Sequence, residues 1–195
     1  MENSIKKFFY RYRSHFILIY LIAFMILSSQ VTFAETRTVV LSFQAYVQDI
    51  GWQKAVGNGK VAGTVGQGKR LEAISINLMD GTRNMIQYNA HVQNIGWQGW
   101  RDSGSVAGTT GKNLRMEAIR IKLVGEYAKV LDIYYRAHVQ NGGWLGWAAN
   151  GEPAGTAGAS LRMEALQIQV VPKGTKIDRG GSAYYEKPGV ALPSL

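Results

Sequence analysis

A-H-V-Q-N-I-G-W-Q-G-W-R-D-S-G-S-V-A-G-T-T-G-K-N-L-R-M-E-A-I-R-I-K-L, residues 90–123, is the stretch that decides the fold, because the same pattern stands at 45–78 and again at 137–170. Aligned on Trp52, Trp97 and Trp144, the three copies run over 34 columns without a gap, and 14 columns carry one residue in all three. Their starts lie 45 and 47 residues apart, a period that belongs to architectures built by repeating one supersecondary unit. Functional residues are therefore expected in triplicate.

Two segments of each copy read as strands. Leu41, Phe43, Ala45 and Val47 alternate with Ser42, Gln44, Tyr46 and Gln48, and Ile86, Tyr88, Ala90 and Val92 repeat the pattern. A period of two with one polar face predicts a half-buried strand. Ile119, Ile121 and Leu123 form one face of the second segment, with Ala118, Arg120 and Lys122 opposite; Ile74, Ile76, Leu78 and Leu166, Ile168, Val170 are the counterparts. Asp80-Gly81 predicts a hairpin from one repeat to the next, and Val124-Gly125 opens the corresponding connection. Trp97 to Trp100 and Val106 to Thr109, around Asp102-Ser103-Gly104, predict a smaller hairpin inside the repeat.

The expectation is an all-β domain of three repeats of about 45 residues, four short strands each. Closure about a pseudo-threefold axis would remove exposed sheet edges and give a β-trefoil or a β-prism. The period also leaves an open solenoid possible.

Working outward, the domain is expected over 35–171. Upstream, Lys6, Lys7, Arg11 and Arg13 precede an apolar run from Phe16 to Leu27, followed by Thr32-Phe33-Ala34. That order predicts a secretory signal over 1–34, cleaved after Ala34. An uncleaved anchor is the alternative, although the run falls short of the roughly 20 residues of a spanning helix, and the membrane is expected as a partner only through this segment. Downstream of Val171 the apolar period stops, and the glycine- and proline-bearing stretch 172–195 is expected to be a flexible tail.

The formal net charge of +9 drops to +6 once 1–34 is removed, with 18 Lys+Arg against 12 Asp+Glu. This spread excess favours anionic partners such as wall polymers, and with export it argues against nucleic acid. No cysteine is present, so an exported chain of this kind must be held by its core. At this length it can bury about 70% of its extended surface.

The Q-x-x-G-W core, the A-G-T-x-G segment and the following R-[LM]-E-A-[IL]-x-I, at fixed mutual distances in three copies, resemble the clostridial hydrophobic repeat with a characteristic tryptophan, the ChW repeat. The three aligned copies that carry the resemblance cover about half of the chain. It implies a secreted or surface-displayed bacterial protein with a role in adhesion or in binding polysaccharide or other macromolecules.

Each candidate residue has a structural and a functional reading. Trp52, Trp97 and Trp144 recur in every copy, which favours packing. The position three further on is Ala55, Trp100 or Trp147, so Trp100 and Trp147 are the better platforms for the apolar face of a sugar. Gln48, Gln93 and Gln140, beside Asp49, Asn94 and Asn141, offer donors and acceptors to hydroxyls or serve the turn before glycine. His91 and His138, with Tyr46 in the first copy, are expected at the rim.

Arg70 and Glu72, Arg115 and Glu117, and Arg162 and Glu164 are expected as paired charges bracing each repeat. Glycoside cleavage needs two unlike carboxylates, whereas one lone Glu recurs here. One histidine per repeat does not match metal-ligand spacing, so neither metal nor cofactor is expected, and the A-G-T-x-G glycines are assigned to tight turns. The resulting expectation is a non-catalytic binding module for a carbohydrate or cell-wall polymer. A protein-binding adhesin or a self-assembling surface protein is the alternative, ahead of a glycan-cleaving enzyme.

Overall fold

The structure, a computed structural model, describes residues 40–79 and 85–186. The expected signal segment 1–34, Asp80-Gly81 and residues 187–195 lie outside the described residues.

Each repeat forms five strands. The first has β1 (Val40–Val47), β2 (Gly51–Trp52), β3 (Val56–Gly57), β4 (Val61–Gly63) and β5 (Leu71–Met79). The second has β6 (Ile86–Val92), β7 (Gly96–Trp97), β8 (Arg101–Asp102), β9 (Val106–Gly108) and β10 (Met116–Leu123). The third has β11 (Leu131–Val139), β12 (Gly143–Trp144), β13 (Ala148–Ala149), β14 (Pro153–Ala157) and β15 (Met163–Pro172), and β16 (Tyr184–Glu186) follows. A single turn of helix, α1 (Tyr127–Val130), joins β10 to β11 and is the only helix among the described residues.

The two long strands of each repeat pair antiparallel with their apolar faces in register: Phe43 faces Ile76, Tyr88 faces Ile121 and Tyr135 faces Ile168. Their inward residues join one buried cluster, where each fully buried Leu, Ile or Phe contributes about 1.5–3 kcal/mol. Tyr88 and Tyr135 stand where the first repeat has Phe43. The Tyr88 hydroxyl donates to the Ser105 carbonyl and accepts from the Ile76 N–H (3.2 Å), while that of Tyr135 donates to the Glu152 carbonyl. Burial raises both phenol pKa values above the ordinary range.

Neighbouring repeats are not joined by hairpins of their long strands. β5 pairs with β1 and β9, whereas β6 pairs with β10, β7 and β8. A turn dipeptide reverses the chain locally, but partner choice goes to the strand with the matching apolar register. The small hairpin inside the repeat is also absent, because β7 and β8 both fold back on β6 while β9 leaves for the sheet of the preceding repeat.

That exchange recurs. β9 of the second repeat pairs with β5 of the first, β14 of the third with β10 of the second, and β4 of the first with β15 of the third. The result is three sheets of five, six and five strands, none closed on itself. The A-G-T segment makes this crossing, which corrects the assignment of its glycine to a tight turn, whereas the second glycine of A-G-T-x-G, Gly66, Gly111 or Gly158, lies in a bend with φ of +73°, +67° or +72°. Gly63, Gly108 and Gly155 have φ of +105°, +104° and +113°, and a Cβ would fall 2.4, 2.3 and 2.4 Å from the carbonyl oxygens of Glu164, Glu72 and Glu117. The adjoining amides of Thr64 and Thr109 donate to the Glu164 and Glu72 carbonyls at 2.8 and 2.7 Å. Only glycine lets two backbones approach so closely.

The expectation of a flexible tail from 172 fails for residues 173–186. β16 adds in parallel to β14, and the amides of Gly146 and Trp147 donate to the carbonyls of Ser182 and Arg179. Leu145 explains the docking. In the first two repeats a glutamine at this position caps the short strand: Gly63 N–H donates to Gln53 Oε1 (2.8 Å) and Gly108 N–H to Gln98 Oε1 (2.7 Å). Leu145 has no side-chain amide, and the Gly155 N–H donates instead to the Ala183 carbonyl of the tail.

Candidate functional site

After the first long strand the chain reverses at Q-[DN]-x-G-W. Asp49, Asn94 and Asn141 take left-handed conformations, φ 60°, 62° and 60°, a region that Asn and Asp tolerate better than other side chains. The turn folds the tryptophan back onto the strand, pairing Trp52 with Tyr46, Trp97 with His91 and Trp144 with His138. Their rings meet edge to face, with centroids 5.5, 5.3 and 5.4 Å apart. These tryptophans do not fill the core. Trp52 is 39% exposed and the other two are half-buried, because a ring held at the end of a two-residue strand stays outside the sheet.

A charge pair stands on the neighbouring long strand, where the glutamate adjoins the residue opposite Tyr46, His91 or His138. The long-strand ladders skip Glu72, Glu117 and Glu164, so each is the extra residue of a β-bulge, a device that re-aims a side chain. All three are buried. In each, Oε1 accepts from the arginine two residues before: from Nε of Arg70, Arg115 and Arg162 at 2.8, 2.9 and 3.0 Å, with Nη2 at 2.7, 2.7 and 2.8 Å. Oε2 of Glu117 and Glu164 lies 3.2 and 3.1 Å from Nδ1 of His91 and His138, within ion-pair range but off the line of a good hydrogen bond. The histidines are thus packed between carboxylate and indole, with side chains 17% and 13% exposed, rather than standing free at the rim. Among the described residues no group of three or more His, Asp or Glu could hold a metal ion.

The outer layer is cationic, and sequence reading missed it. Arg120 Cζ lies 4.5 Å from the Trp97 ring centroid, and Arg136 Cζ lies 4.8 Å from that of Trp144 and 4.7 Å from that of Trp147. Lys122 Nζ lies 4.1 Å from the Trp100 ring centroid. The two arginines come from different columns of the repeat, one on β10 and one on β11. They nevertheless occupy the same cross-strand pair, Asn89 with Arg120 and Arg136 with Gln167; the first repeat has Gln44 with Ser75 there. A column-by-column comparison of copies marks neither arginine, since each column holds only one.

Trp100 is 39% exposed, as a platform requires. Trp147 is half-buried and walls a recess of about 280 Å³ together with Arg136, Trp144, Asp178, Arg179 and the Gly180-Gly181 backbone. The tail completes this recess: Arg179 pairs with Glu152 and donates from Nε to the Trp147 carbonyl (2.8 Å). Gly146 permits the approach, since a Cβ there would fall 1.8 Å from the Gly181 carbonyl oxygen. Gln48, Gln93 and Gln140 are half-buried, and Asp49, Asn94 and Asn141 are exposed beside them. Each repeat therefore brings the turn, the tryptophan and the charge pair together, and the second and third add histidine, a second tryptophan and a cation.

No curated protein and no solved structure matches the chain. A model of the Clostridial hydrophobic W family matches residues 46–80, 91–125 and 138–172, each match spanning the turn, tryptophan, exchanged strand and Arg-Glu pair described above. With more than half of its residues in three tandem copies of that unit, the chain belongs to the Clostridial hydrophobic W family.

Proposed function

We propose that this protein is an exported, non-catalytic module that binds an extended carbohydrate or cell-wall polymer through equivalent patches, one per repeat. The observation that carries the reading is the recurrence, on three sheets, of a tryptophan packed edge to face on the long strand after an amide-bearing turn, with an arginine-bound buried glutamate on the neighbouring strand. Three weak sites on one body raise the affinity for a polymer that reaches two of them by about 10²- to 10⁴-fold. We further propose that the three sheets are the faces of a prism about a pseudo-threefold axis. The exchange of β4, β9 and β14 supports that arrangement, and the open sheets favour it over the barrel of a trefoil.

The engaged carboxylates support binding over catalysis, since Oε1 of each carries an arginine. The first repeat is the weakest site: it has Ala55 for the second tryptophan and Tyr46 for histidine, and among the described residues no cation lies over Trp52. A second reading, a protein partner at the cell surface, is favoured by Ile50 and Ile95, 48% and 49% exposed at the turn tips.

Retention of the full-length protein on a panel of immobilised glycans and wall polymers tests the proposal. Trp100→Ala combined with Trp147→Ala should weaken retention roughly tenfold or more, each ring being worth about 0.5–1.5 kcal/mol before avidity is lost. Equal retention of parent and variant on every polymer would exclude these patches. A polypeptide captured from cell surfaces that free glycans do not displace would favour the protein partner.

A further inference from the structure

We infer that the sites of the second and third repeats recognise an acidic group on the polymer, a carboxylate or a phosphate, through the guanidinium groups of Arg120 and Arg136. The inference rests on the polymer-binding reading and names the chemical class of its ligand.

One cross-strand pair beside the recurring tryptophan carries one arginine in each of these repeats, supplied from opposite strands. Two independent columns thus deliver the same group to the same place. In both cases the guanidinium carbon lies over an indole, which occupies the flat face of the cation and leaves its N–H edge as the remaining recognition surface.

Among the described residues no carboxylate pairs with Arg120, Arg136 or Lys122. Glu117 and Glu164 are committed to Arg115 and Arg162, and Glu152 to Arg179, while Glu186, which shares the neighbourhood of Tyr184 with Arg120, makes no ion pair with it. Asp178, on the recess wall, accepts from the Gly180 N–H (2.9 Å). Arg136 Nε donates to the neutral Gln167 Oε1 (2.8 Å), which anchors the group, and among the described residues its terminal nitrogens make no hydrogen bond or ion pair. Burial lowers the pKa of Arg136, the mark of a cation partly withdrawn from water without a counter-charge.

In the second repeat Asn89, one methylene shorter than Gln167, does not reach its partner. Asn89 Oδ1 and Arg120 Nε are both buried without hydrogen bonds. Half-buried cations lacking a carboxylate are uncommon because desolvation disfavours them. An incoming carboxylate or phosphate would meet the guanidinium edge with two parallel hydrogen bonds, and the third-repeat recess, about 280 Å³, has room for one sugar-sized unit bearing it.

The test is affinity electrophoresis of the full-length protein in gels containing polygalacturonate, poly(glycerol phosphate) or neutral dextran. At least one acidic polymer should bind about tenfold tighter than dextran, and Arg120→Gln with Arg136→Gln should remove most of that preference, a factor of about ten for two charge-assisted contacts. Preference for polygalacturonate identifies a carboxylate, and preference for poly(glycerol phosphate) a phosphate. Lys60→Gln with Lys112→Gln removes the same net charge and should change binding by less than about threefold, as expected for exposed, screened charges. If the glutamine pair does not fold, Arg120→Lys with Arg136→Lys keeps the charge but not the planar edge and should still lose about threefold or more.

Dextran binding as tight as that of both acidic polymers would overturn the inference while leaving polymer binding standing. An equal loss in the lysine control, or unchanged binding in the arginine variants, would overturn it as well. Retention on none of the three, nor on any polymer of the wider panel, would bring down the polymer-binding reading itself.

Discussion

Glu117 shows what a single residue contributes to each repeat. It is the extra residue of a bulge, buried, with Arg115 on one oxygen and His91 near the other. Arg115 keeps 20% of its side chain exposed, so the pair is shielded on one side only. Removing one partner leaves the other charge partly desolvated and should cost about 3 kcal/mol, whereas removing both should cost less than the sum of the single losses by about 1–2 kcal/mol. Urea denaturation of Arg115→Ala, Glu117→Gln and the double variant measures this, and strictly additive losses would show that the two side chains do not act on each other. The Arg-x-Glu spacing made the pairing legible, because residues two apart share a strand face. The histidine contact was not legible: it depends on a bulge, whose mark in the sequence, the three-residue step from Met116 to Ile119, does not say which side chain the bulge re-aims.

At the level of elements, the exchanged strands β4, β9 and β14 depend on one glycine each. Gly108→Ala would place a methyl 2.3 Å from the Glu72 carbonyl oxygen at φ +104°. The combined strain and clash should cost at least about 3 kcal/mol. Gly111, φ +67° with no atom near its missing Cβ, is the control, and Gly111→Ala should cost only about 1 kcal/mol. Comparable midpoint shifts for the two variants would mean that β9 does not press on the neighbouring backbone. The tail obeys the same logic of edge protection: Gln53 and Gln98 cap their short strands with an amide, and where Leu145 cannot, β16 supplies the ladder.

For the whole molecule, the pairing of β4 with β15 ties the first repeat to the third. Deleting the third repeat would remove every strand of its own sheet except β4, leave β4 without a partner and strip β14 from β10, exposing apolar residues of the strands that remain. The shortened chain should therefore lack a cooperative thermal transition. A cooperative transition in a two-repeat chain would indicate the nearest-neighbour stability of a solenoid rather than a mutually dependent set of three.

Three repeats, an all-β fold, the two long strands with their buried faces and the Arg-Glu pair were all determined by the sequence alone, because local alternation and exact internal repetition report them directly. Only the tertiary structure decided which strands pair. A hairpin signal such as Asp80-Gly81 describes a local reversal, while the apolar register of β1 with β5 and the glycine crossings select partners far apart in the chain. The same physics hid the cationic layer of the site. Arg120 and Arg136 reach equivalent places from opposite members of a cross-strand pair, and that equivalence exists in the folded sheet, where neighbours across the ladder share one surface, and in no column of the aligned repeats.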